Sequence, residues 1–356
     1  MKLFYLFLIN IGLLLSSQAA IATPPLTQET REPEAATGLT EQQLVRSKHA
    51  MVAAAHPLAV AAGQRILLKG GSAVDAAIAT QLLLGLVEPQ SSGIGGGAFI
   101  LHWHKSSQRL SSFDGRETAP ATVDGDLFRQ HGTTLDWRSA YVGGKSVGVP
   151  GVLQALALAH QQYGVLPWAD LFEDAITTAE QGFTVTPRMA KHLTLGWNEG
   201  VKTLAPAKDY FYPNGRPLQA GQQITNPAYA RILRAIAKEG VSAFYQGENA
   251  QALVATVKNA AVNPGALSLA DLSQYRAVER GVLCRPYRQY KVCGMAPPSS
   301  GGIAVLQILG ILSAFELERL PPGSVQAVHL LSQAARLAFA DRERYLADAD
   351  FSPVPV

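Results

Sequence analysis

Residues 76–87 are apolar on nearly every face of a helix, and this segment constrains the fold more than any other. The preceding Ser72-Ala73-Val74-Asp75 has the order of a capping box, in which side chains bind N–H groups at the start of a helix. Glu88-Pro89 ends the helix, because the residue before a proline disfavours helical dihedral angles. A helix without a polar face has to be buried. The chain must therefore surround it with further layers of secondary structure.

A glycine cluster and two strands follow the buried helix. The cluster is Gly93-Ile94-Gly95-Gly96-Gly97, and residues 98–104 and 109–114 have the composition of strands joined by a turn at 106–108. Residues 184–224 are rich in Pro, Gly and aromatic residues and predict an irregular segment. Further helices are predicted at 57–69, 151–162, 168–181, 228–238, 249–259, 303–317 and 324–344. Helices layered on antiparallel strands predict a mixed α+β fold.

Composition and charge exclude several classes of protein. Hydrophobic residues make up 47% of the 356 residues and charged residues 16%, whereas a disordered chain combines low hydrophobicity with high charge. The formal net charge is +3, and no segment carries a stripe of Lys and Arg. We therefore expect no nucleic-acid partner.

The first 22 residues have the three parts of a secretory signal peptide. Lys2 precedes the apolar run 3–15, and Ala20-Ile21-Ala22 has the small-x-small form of a cleavage site. We expect cleavage after Ala22, an exposed leader over 23–44, a folded domain over 45–356, and a periplasmic or secreted protein. The alternative is an uncleaved membrane anchor, but the apolar run is shorter than the about 20 residues of a spanning helix, and no later segment is long and apolar enough.

The only two cysteines, Cys284 and Cys293, flank a predicted hairpin. Pro286 and the region around 288–289 can turn the chain, and residues 290–292 alternate like a strand. Paired strands would bring the cysteines within disulfide reach, and an oxidising compartment would keep the bond. The alternative is two buried free thiols. A zinc site is not expected, because two cysteines without a nearby histidine do not supply four ligands.

Three short motifs lack the structural context of the functions they suggest. Gly93-Ile94-Gly95-Gly96-Gly97-Ala98 matches the dinucleotide pattern, which needs a strand before it and a helix after it, the reverse of the order here. Gly144-Lys145-Ser146-Val147-Gly148 matches the nucleophile elbow of serine hydrolases, but Val149-Pro150-Gly151 separates the serine from the next helix. His102 and His104 share one face of a strand, and without a third ligand a metal-free pair is favoured.

Two other segments are candidate ligand-binding elements. Asp114-Gly115-Arg116-Glu117-Thr118-Ala119-Pro120 places an arginine at a strand end. Its guanidinium presents a planar fork that binds a carboxylate through two parallel hydrogen bonds. The nearby glycines allow other backbone to approach closely. Further along, Pro297-Pro298-Ser299-Ser300-Gly301-Gly302 opens a helix whose N–H groups and hydroxyls could bind an anion or fix a neighbouring loop, with a plain helix start as the alternative.

Several blocks spread along the chain occur in this order in one known family. They are Gly70-Gly71-Ser72-Ala73-Val74-Asp75-Ala76-Ala77, residues 93–99, Arg116-Glu117-Thr118-Ala119-Pro120, Gly148-Val149-Pro150-Gly151, residues 297–302 and Phe339-Ala340-Asp341-Arg342. Together they resemble the large, N-terminal subunit of the gamma-glutamyltranspeptidases. The resemblance extends from about residue 45 to residue 356. A series of blocks in one order is far more specific than any single motif.

The resemblance implies a fold, a reaction and a binding residue. The fold is the αββα four-layer sandwich of N-terminal nucleophile hydrolases, of which this chain would hold only the large-subunit portion. The reaction moves the gamma-glutamyl group of glutathione or related amides to water, an amino acid or a peptide, without a metal or an organic cofactor. Arg116 matches the family's arginine that binds the α-carboxylate of the donor.

The resemblance also implies that the catalytic nucleophile lies outside this chain. The family's precursor cuts itself, and the nucleophile is the threonine that then begins the small subunit. Thr133-Thr134 and Thr177-Thr178 precede Asp341-Arg342, whereas the nucleophile should follow it. We therefore expect no catalytic residue here, the small subunit of the same precursor as partner, and an isolated chain without activity. The alternative is a noncatalytic remnant that at most binds amino-acid-like ligands.

Overall fold

The computed structural model describes residues 43–196 and 198–356, so the predicted signal peptide and nearly all of the leader lie outside the described residues. The strands are β1 Ala98–His104, β2 Arg109–Gly115, β3 Arg129–Gln130, β4 Thr133–Thr134, β5 Phe183–Thr184, β6 Gln223–Ile224, β7 Val278–Arg280, β8 Leu283–Tyr287 and β9 Tyr290–Gly294. The helices are α1 Pro57–Leu68, α2 Ala73–Val87, α3 Trp137–Tyr141, α4 Val152–Tyr163, α5 Glu173–Gln181, α6 Pro187–Leu195, α7 Glu199–Thr203, α8 Ala207–Phe211, α9 Pro227–Glu239, α10 Ser242–Tyr245, α11 Gly247–Lys258, α12 Leu269–Gln274, α13 Gly301–Leu312 and α14 Val325–Tyr345. Short 3₁₀ turns lie at Trp168–Phe172, Pro213–Gly215 and Leu317–Arg319.

Helix α2 is the buried helix that the sequence predicts. The Ser72 hydroxyl accepts the N–H of Asp75 at 3.1 Å, and the Asp75 carboxylate accepts the N–H of Ser72 at 2.8 Å, which forms the capping box. The helix packs against α1, α4 and α5, and Leu82 is completely buried. The Asp75 carboxylate also accepts the N–H groups of Val165 and Leu166, at 3.0 and 3.1 Å. One buried acid therefore caps α2 and fixes the loop that follows α4.

The three-stranded antiparallel sheet has the order β1-β2-β7, and helix α4 packs against one of its faces. Ile100 pairs with Phe113 and Phe99 pairs with Asp114, so each pair shares a face and the two pairs lie on opposite faces. Tyr163 of α4 lies against the ring of Phe113, which is fully buried. The fold is mixed α+β, as the sequence predicts.

The other face of the sheet exposes large apolar side chains. Phe99, Leu101 and Trp103 alternate along β1 and are 38%, 46% and 52% exposed. Soluble proteins rarely leave such a contiguous apolar patch uncovered, and patches of this kind are typical of surfaces that contact another chain or segment. This face is therefore a candidate interface.

Helices α13 and α14 pair with each other and also expose apolar side chains. Val305 on α13 and Val328, Leu331 and Leu337 on α14 are each about half exposed. Helix α13 is nearly all apolar but has 12 residues. In the part of the chain that the structure describes, no helix is both long and apolar enough to cross a membrane.

Residues 184–224 contain more helix than the sequence predicts. Helices α6, α7 and α8 all lie within this segment. The Thr186 hydroxyl accepts the N–H of Met189 at the start of α6, and the Asn198 side chain accepts the N–H of Gly200 at the start of α7. The prediction of a wholly irregular segment was wrong. Side-chain caps start α6 and α7, and all three helices are too short to show a clear apolar period.

Strands β8 and β9 form the predicted hairpin. Cys284 lies directly opposite Cys293 in the register, with an S–S distance of 2.10 Å. Arg288 in the turn has φ of 54°, the left-handed region that tight hairpin turns use. The hairpin packs against α13. The predicted disulfide is therefore present in the structure, and the described residues contain no free cysteine.

Candidate functional site

Arg116 lies in the loop that leaves β2, and buried side chains bind both polar groups of its backbone. Its N–H donates to Asp114 Oδ1 at 2.9 Å, and its carbonyl oxygen accepts the hydroxyl proton of Tyr275 at 2.7 Å. Asp114 and Tyr275 are both buried. Burial raises the pKa of the Tyr275 phenol, so the hydroxyl remains a donor at neutral pH. The Arg116 backbone is thus held from both sides.

The guanidinium of Arg116 is exposed and keeps most of its donors available. Its Nη1 donates to the carbonyl oxygen of Pro298 at 2.9 Å. An arginine side chain has five N–H donors. Within the described residues, Arg116 forms no ion pair with a carboxylate. The fork is therefore free to bind a carboxylate supplied by a ligand.

A groove of about 550 Å³ runs beside Arg116. Residues 116–120 and 145–148 line it together with Gly95, Leu127 and Phe128. The two lining segments are joined where the N–H of Val149 donates to the carbonyl of residue 118 at 2.8 Å. Arg116 and Lys145 line the groove together with apolar side chains and the Glu117 carboxylate, and its two cations suit a small ligand that carries a carboxylate.

The glycine cluster permits close packing beneath the groove, as the sequence predicts. A Cβ atom on Gly97 would lie 2.5 Å from Glu117 Oε2 and 2.7 Å from the carbonyl oxygen of Gly115. The Gly96 carbonyl accepts the N–H groups of residues 151 and 152, at 2.9 and 3.0 Å. The cluster therefore ties the start of α4 to the Arg116 loop.

The segment 297–302 fixes its neighbours. The Pro298 carbonyl holds Arg116, and the Ser300 hydroxyl oxygen accepts a hydrogen bond from Arg342 Nε at 3.0 Å. Helix α13 begins directly afterwards, at Gly301. These contacts agree with the predicted role of fixing a neighbouring loop.

Ser146 and His102, from the other sequence motifs, make contacts within the fold. The Ser146 hydroxyl donates to the Tyr141 carbonyl at 2.7 Å, and α4 begins only at Val152, so the serine does not lie at a strand-to-helix turn. The ring of His102 lies 4.1 Å from that of Tyr163. The described residues contain no group of three or more His, Cys, Asp or Glu side chains that could hold a metal ion.

Sequence reasoning missed the residues that support Arg116. Arg280 Nε donates to Asp114 Oδ2 at 2.6 Å, and Tyr275 binds the Arg116 carbonyl. Both partners are more than 150 residues from the loop, so only the folded topology brings them there. Asp114 itself had a sequence signal, because an aspartate two residues before a loop N–H is the spacing of an Asx turn.

This α+β fold, with an antiparallel sheet packed on a helix, matches solved structures of the class of N-terminal nucleophile hydrolases. Within that class, the family description Gamma-glutamyltranspeptidase matches residues 59–356. The chain belongs to this family, and the resemblance drawn from its sequence blocks is confirmed.

Relatives of the chain include hydrolases, an acylase and a transpeptidase. It is 34% identical over 351 residues to the glutathione hydrolase proenzyme of Escherichia coli, with 98% of this chain and 59% of that protein covered. It is 37% identical to the acylase ACY 1 proenzyme of Pseudomonas sp. (strain V22), with 95% and 59% covered. The Helicobacter pylori gamma-glutamyltranspeptidase structure has a TM-score of 0.83 at 31% identity, with 88% of both chains covered. The chain thus spans 59% of the length of these two proenzymes.

Proposed function

We propose that this chain is the large subunit of a gamma-glutamyl acyltransferase and hydrolase that acts on glutathione and other gamma-glutamyl amides. Membership of the family supports the reaction class. The observation that carries the proposal is the exposed guanidinium of Arg116, which has a fixed backbone, no ion pair among the described residues, and a groove beside it. These are the properties of a residue that recognises a carboxylate from outside the chain.

Arg116 would bind the α-carboxylate of the donor. A bidentate contact fixes the direction of the glutamyl chain as well as its position. The γ-carbonyl would then lie at a fixed distance from the carboxylate end, which is how a binding residue contributes to attack geometry. The role of this arginine is positional, so Arg116 takes no part in bond making.

The partner we propose is the small subunit of the same precursor. The face of the sheet that exposes Phe99, Leu101 and Trp103 supports this assignment, because it has the apolar character of a surface that packs against a second sheet. The proenzyme relatives continue beyond the length that this chain covers. The assembled pair would form the four-layer sandwich.

The chemical step would be covalent acyl transfer by a threonine at the start of the small subunit. Its own α-amine would take the hydroxyl proton, and the hydroxyl oxygen would attack the γ-amide carbonyl. Backbone N–H groups would stabilise the oxyanion. The amide C–N bond would then break, and the leaving amine would take the proton held by the α-amine. Water or an amine acceptor would next attack the threonine ester and release the acyl group, and the proton from this nucleophile would return to the threonine oxygen. The chain described here would bind the donor and would supply no catalytic residue.

The acyl group is the part of the proposal that the family alone does not determine. One relative at 37% identity carries the name acylase. The free fork of Arg116 favours donors with an α-carboxylate over uncharged acyl groups. The alternative function is a noncatalytic remnant that at most binds amino-acid-like ligands, and it differs from the enzyme in that no small subunit would restore turnover.

We also propose export through cleavage after Ala22, which gives the periplasmic or secreted location that suits the disulfide. Mass spectrometry of protein recovered outside the cytoplasm should show Thr23 as the first residue. Mature protein that retains Met1 or Lys2 would contradict this assignment.

Co-expression tests the proposed function directly. The chain alone and the chain with a small subunit of this family are purified and assayed with a gamma-glutamyl anilide. We expect turnover from the pair and none from the chain alone. Turnover by the pure chain would mean that the nucleophile is misplaced, and Ser146 would be tested next. A stable pair without turnover would favour the remnant.

A further inference from the structure

Arg280 lies at the centre of an ion-pair network next to the Arg116 loop. It is the last residue of β7 and lies beside β2, where its backbone pairs with Ser112. Its Nε donates to Asp114 Oδ2 at 2.6 Å, while Nη1 and Nη2 donate to the two carboxylate oxygens of Asp350 at 3.0 and 2.6 Å. The guanidinium therefore joins β2 to the segment that follows α14.

The Asp114 carboxylate uses its two oxygens for different partners. Oδ2 binds Arg280, and Oδ1 accepts the N–H of Arg116. Because a carboxylate is planar, fixing one oxygen fixes the direction of the other. The side chains of Arg280 and Asp114 are only 14% and 7% exposed, so water competes little for this contact. The position of Arg280 therefore sets the direction of Asp114 Oδ1, the atom that binds the Arg116 N–H.

The ion pair between Arg280 and Asp350 also favours the charged forms of both groups. Hydrogen bonds with Asp350 and Asp114 raise the pKa of the Arg280 guanidinium, and Arg280 lowers the pKa of the Asp350 carboxyl.

The Tyr275 hydroxyl fixes the other polar backbone group of Arg116, its carbonyl oxygen. A Cβ on residue 151 would lie 2.2 Å from that hydroxyl, so glycine at this position leaves the space it occupies.

We propose that Arg280 and Tyr275 are positioning residues that set the direction of the Arg116 fork toward the donor carboxylate. The inference rests on the proposed function, since it concerns how the same site selects its donor. Neither residue contacts the donor, and both act through the backbone of Arg116. Small errors in such alignment reduce rates steeply, because the reacting atoms lose attack geometry.

The test uses the processed enzyme that contains both subunits and two anilide substrates. One is the gamma-glutamyl anilide, and the other is the 4-aminobutyryl anilide, which lacks only the α-carboxylate. The preference is the ratio of their kcat/KM values. Arg280→Lys keeps the charge but loses the planar fork, so we expect the preference to fall about tenfold. A purely structural defect would lower both kcat/KM values and leave their ratio unchanged.

Two further variants and a control make the test decisive. Tyr275→Phe removes one hydrogen bond without changing side-chain shape, and we expect a two- to tenfold loss of preference, as for one lost hydrogen bond. Arg109→Lys alters an exposed ion pair with Glu279 at the other end of β2, and we expect the preference to stay within about twofold. In an Arg116→Ala background, Arg280→Lys should change the preference no further, because the two residues act in series.

The outcomes separate this inference from the proposed function. If Arg116→Ala removes the preference while Arg280→Lys and Tyr275→Phe behave like Arg109→Lys, the positioning role is wrong and the proposed function remains. If Arg116→Ala itself keeps the preference, the proposed role of Arg116 fails. If Arg280→Lys yields no processed enzyme, Tyr275→Phe decides, since its loss of preference supports positioning and a wild-type ratio overturns it.

Discussion

Arg116 combines a fixed backbone with a side chain that is open to solvent. Asp114 and Tyr275 hold the backbone, and Pro298 uses one of its side-chain donors. A residue that served only the fold would place its guanidinium on a carboxylate of the same chain, as Arg280 does with Asp350. The site is therefore distinguished by the Arg116 guanidinium, which forms no ion pair with a carboxylate of the described residues.

Replacement of Arg116 should damage donor handling in the assembled enzyme. Arg116→Ala leaves a desolvated carboxylate unpaired, which costs about 2–5 kcal/mol, or roughly thirtyfold to a few thousandfold in kcat/KM for a gamma-glutamyl anilide. Arg116→Lys should also lose much of this rate, because lysine lacks the planar fork. Self-cleavage should survive, since the precursor's own peptide bond has no α-carboxylate to hold.

The measurement is processing on a gel alongside kcat/KM, with Arg231→Ala as the control. Arg231 is an exposed arginine on α9. Intact processing with kcat/KM within about threefold of the unaltered enzyme would reduce Arg116 to a solvated loop residue.

Gly97 should tolerate no side chain. In Gly97→Ala the new Cβ would lie 2.5 Å from Glu117 Oε2 and 2.7 Å from the Gly115 carbonyl oxygen, and the second contact is to backbone that cannot swing away. Such overpacking costs about 1–3 kcal/mol. Gly95→Ala is the matched control, because no atom lies within 4 Å of its Cβ position. Denaturant unfolding measures both, and equal stability of the two variants would contradict this packing.

Individual residues differed in how far the sequence revealed them. Arg116 and the glycines were candidates in the sequence because their residue type and local order carry the information. Tyr275 and Arg280 were missed, because their contacts span 159 and 166 residues and depend on how β2 pairs with β7. The pairing of His102 with Tyr163 was likewise set by packing of α4 on the sheet.

Among the elements, those with strong local signals were the ones predicted well. Helix α2 has a capping box and an unbroken apolar surface, and the β1–β2 hairpin has two clear strands. The 303–317 helix was predicted too long, since α13 ends at Leu312 and a short 3₁₀ turn follows. Helices α6 to α8 were missed because they are short, and side-chain caps rather than periodicity start α6 and α7.

The hairpin β8–β9 should depend on its oxidation state. Cys284 and Cys293 should be joined in exported protein and free in protein made in a reducing cytosol. The loop between them is short, so the chain-entropy model gives a stabilisation of roughly 2–3 kcal/mol. A thiol count on denatured protein measures the bond, and a Cys284→Ser, Cys293→Ser double variant measures its contribution to unfolding. Two free thiols in the exported form would refute the bond.

For the whole molecule, the faces of the sheet set the architecture. Helix α4 lies on the face that carries Phe113, while the opposite face exposes Phe99, Leu101 and Trp103. The sequence predicted the strand at residues 98–104 from its composition, but this segment is apolar on both faces, so it did not indicate which face the fold covers. It gave no way to see from periodicity that the second face stays open here, and only the family resemblance pointed to a missing sheet.

Substitutions on the open face should weaken assembly and spare the fold. Leu101→Ser with Trp103→Ser removes side chains that are about half exposed in this chain, so its free energy of unfolding should change by about 0.5 kcal/mol or less for each substitution. In an interface with the small subunit the same side chains would be buried, and the loss of two large apolar groups should weaken binding about tenfold to a hundredfold or more. Val165→Ser is the control, because Val165 is 67% exposed in the loop after α4, near the helix-covered side. Co-purification with a small subunit and unfolding of the free chain are measured together. Normal assembly of the double variant would place the small subunit elsewhere, and α13 and α14 would then be the next surface to substitute.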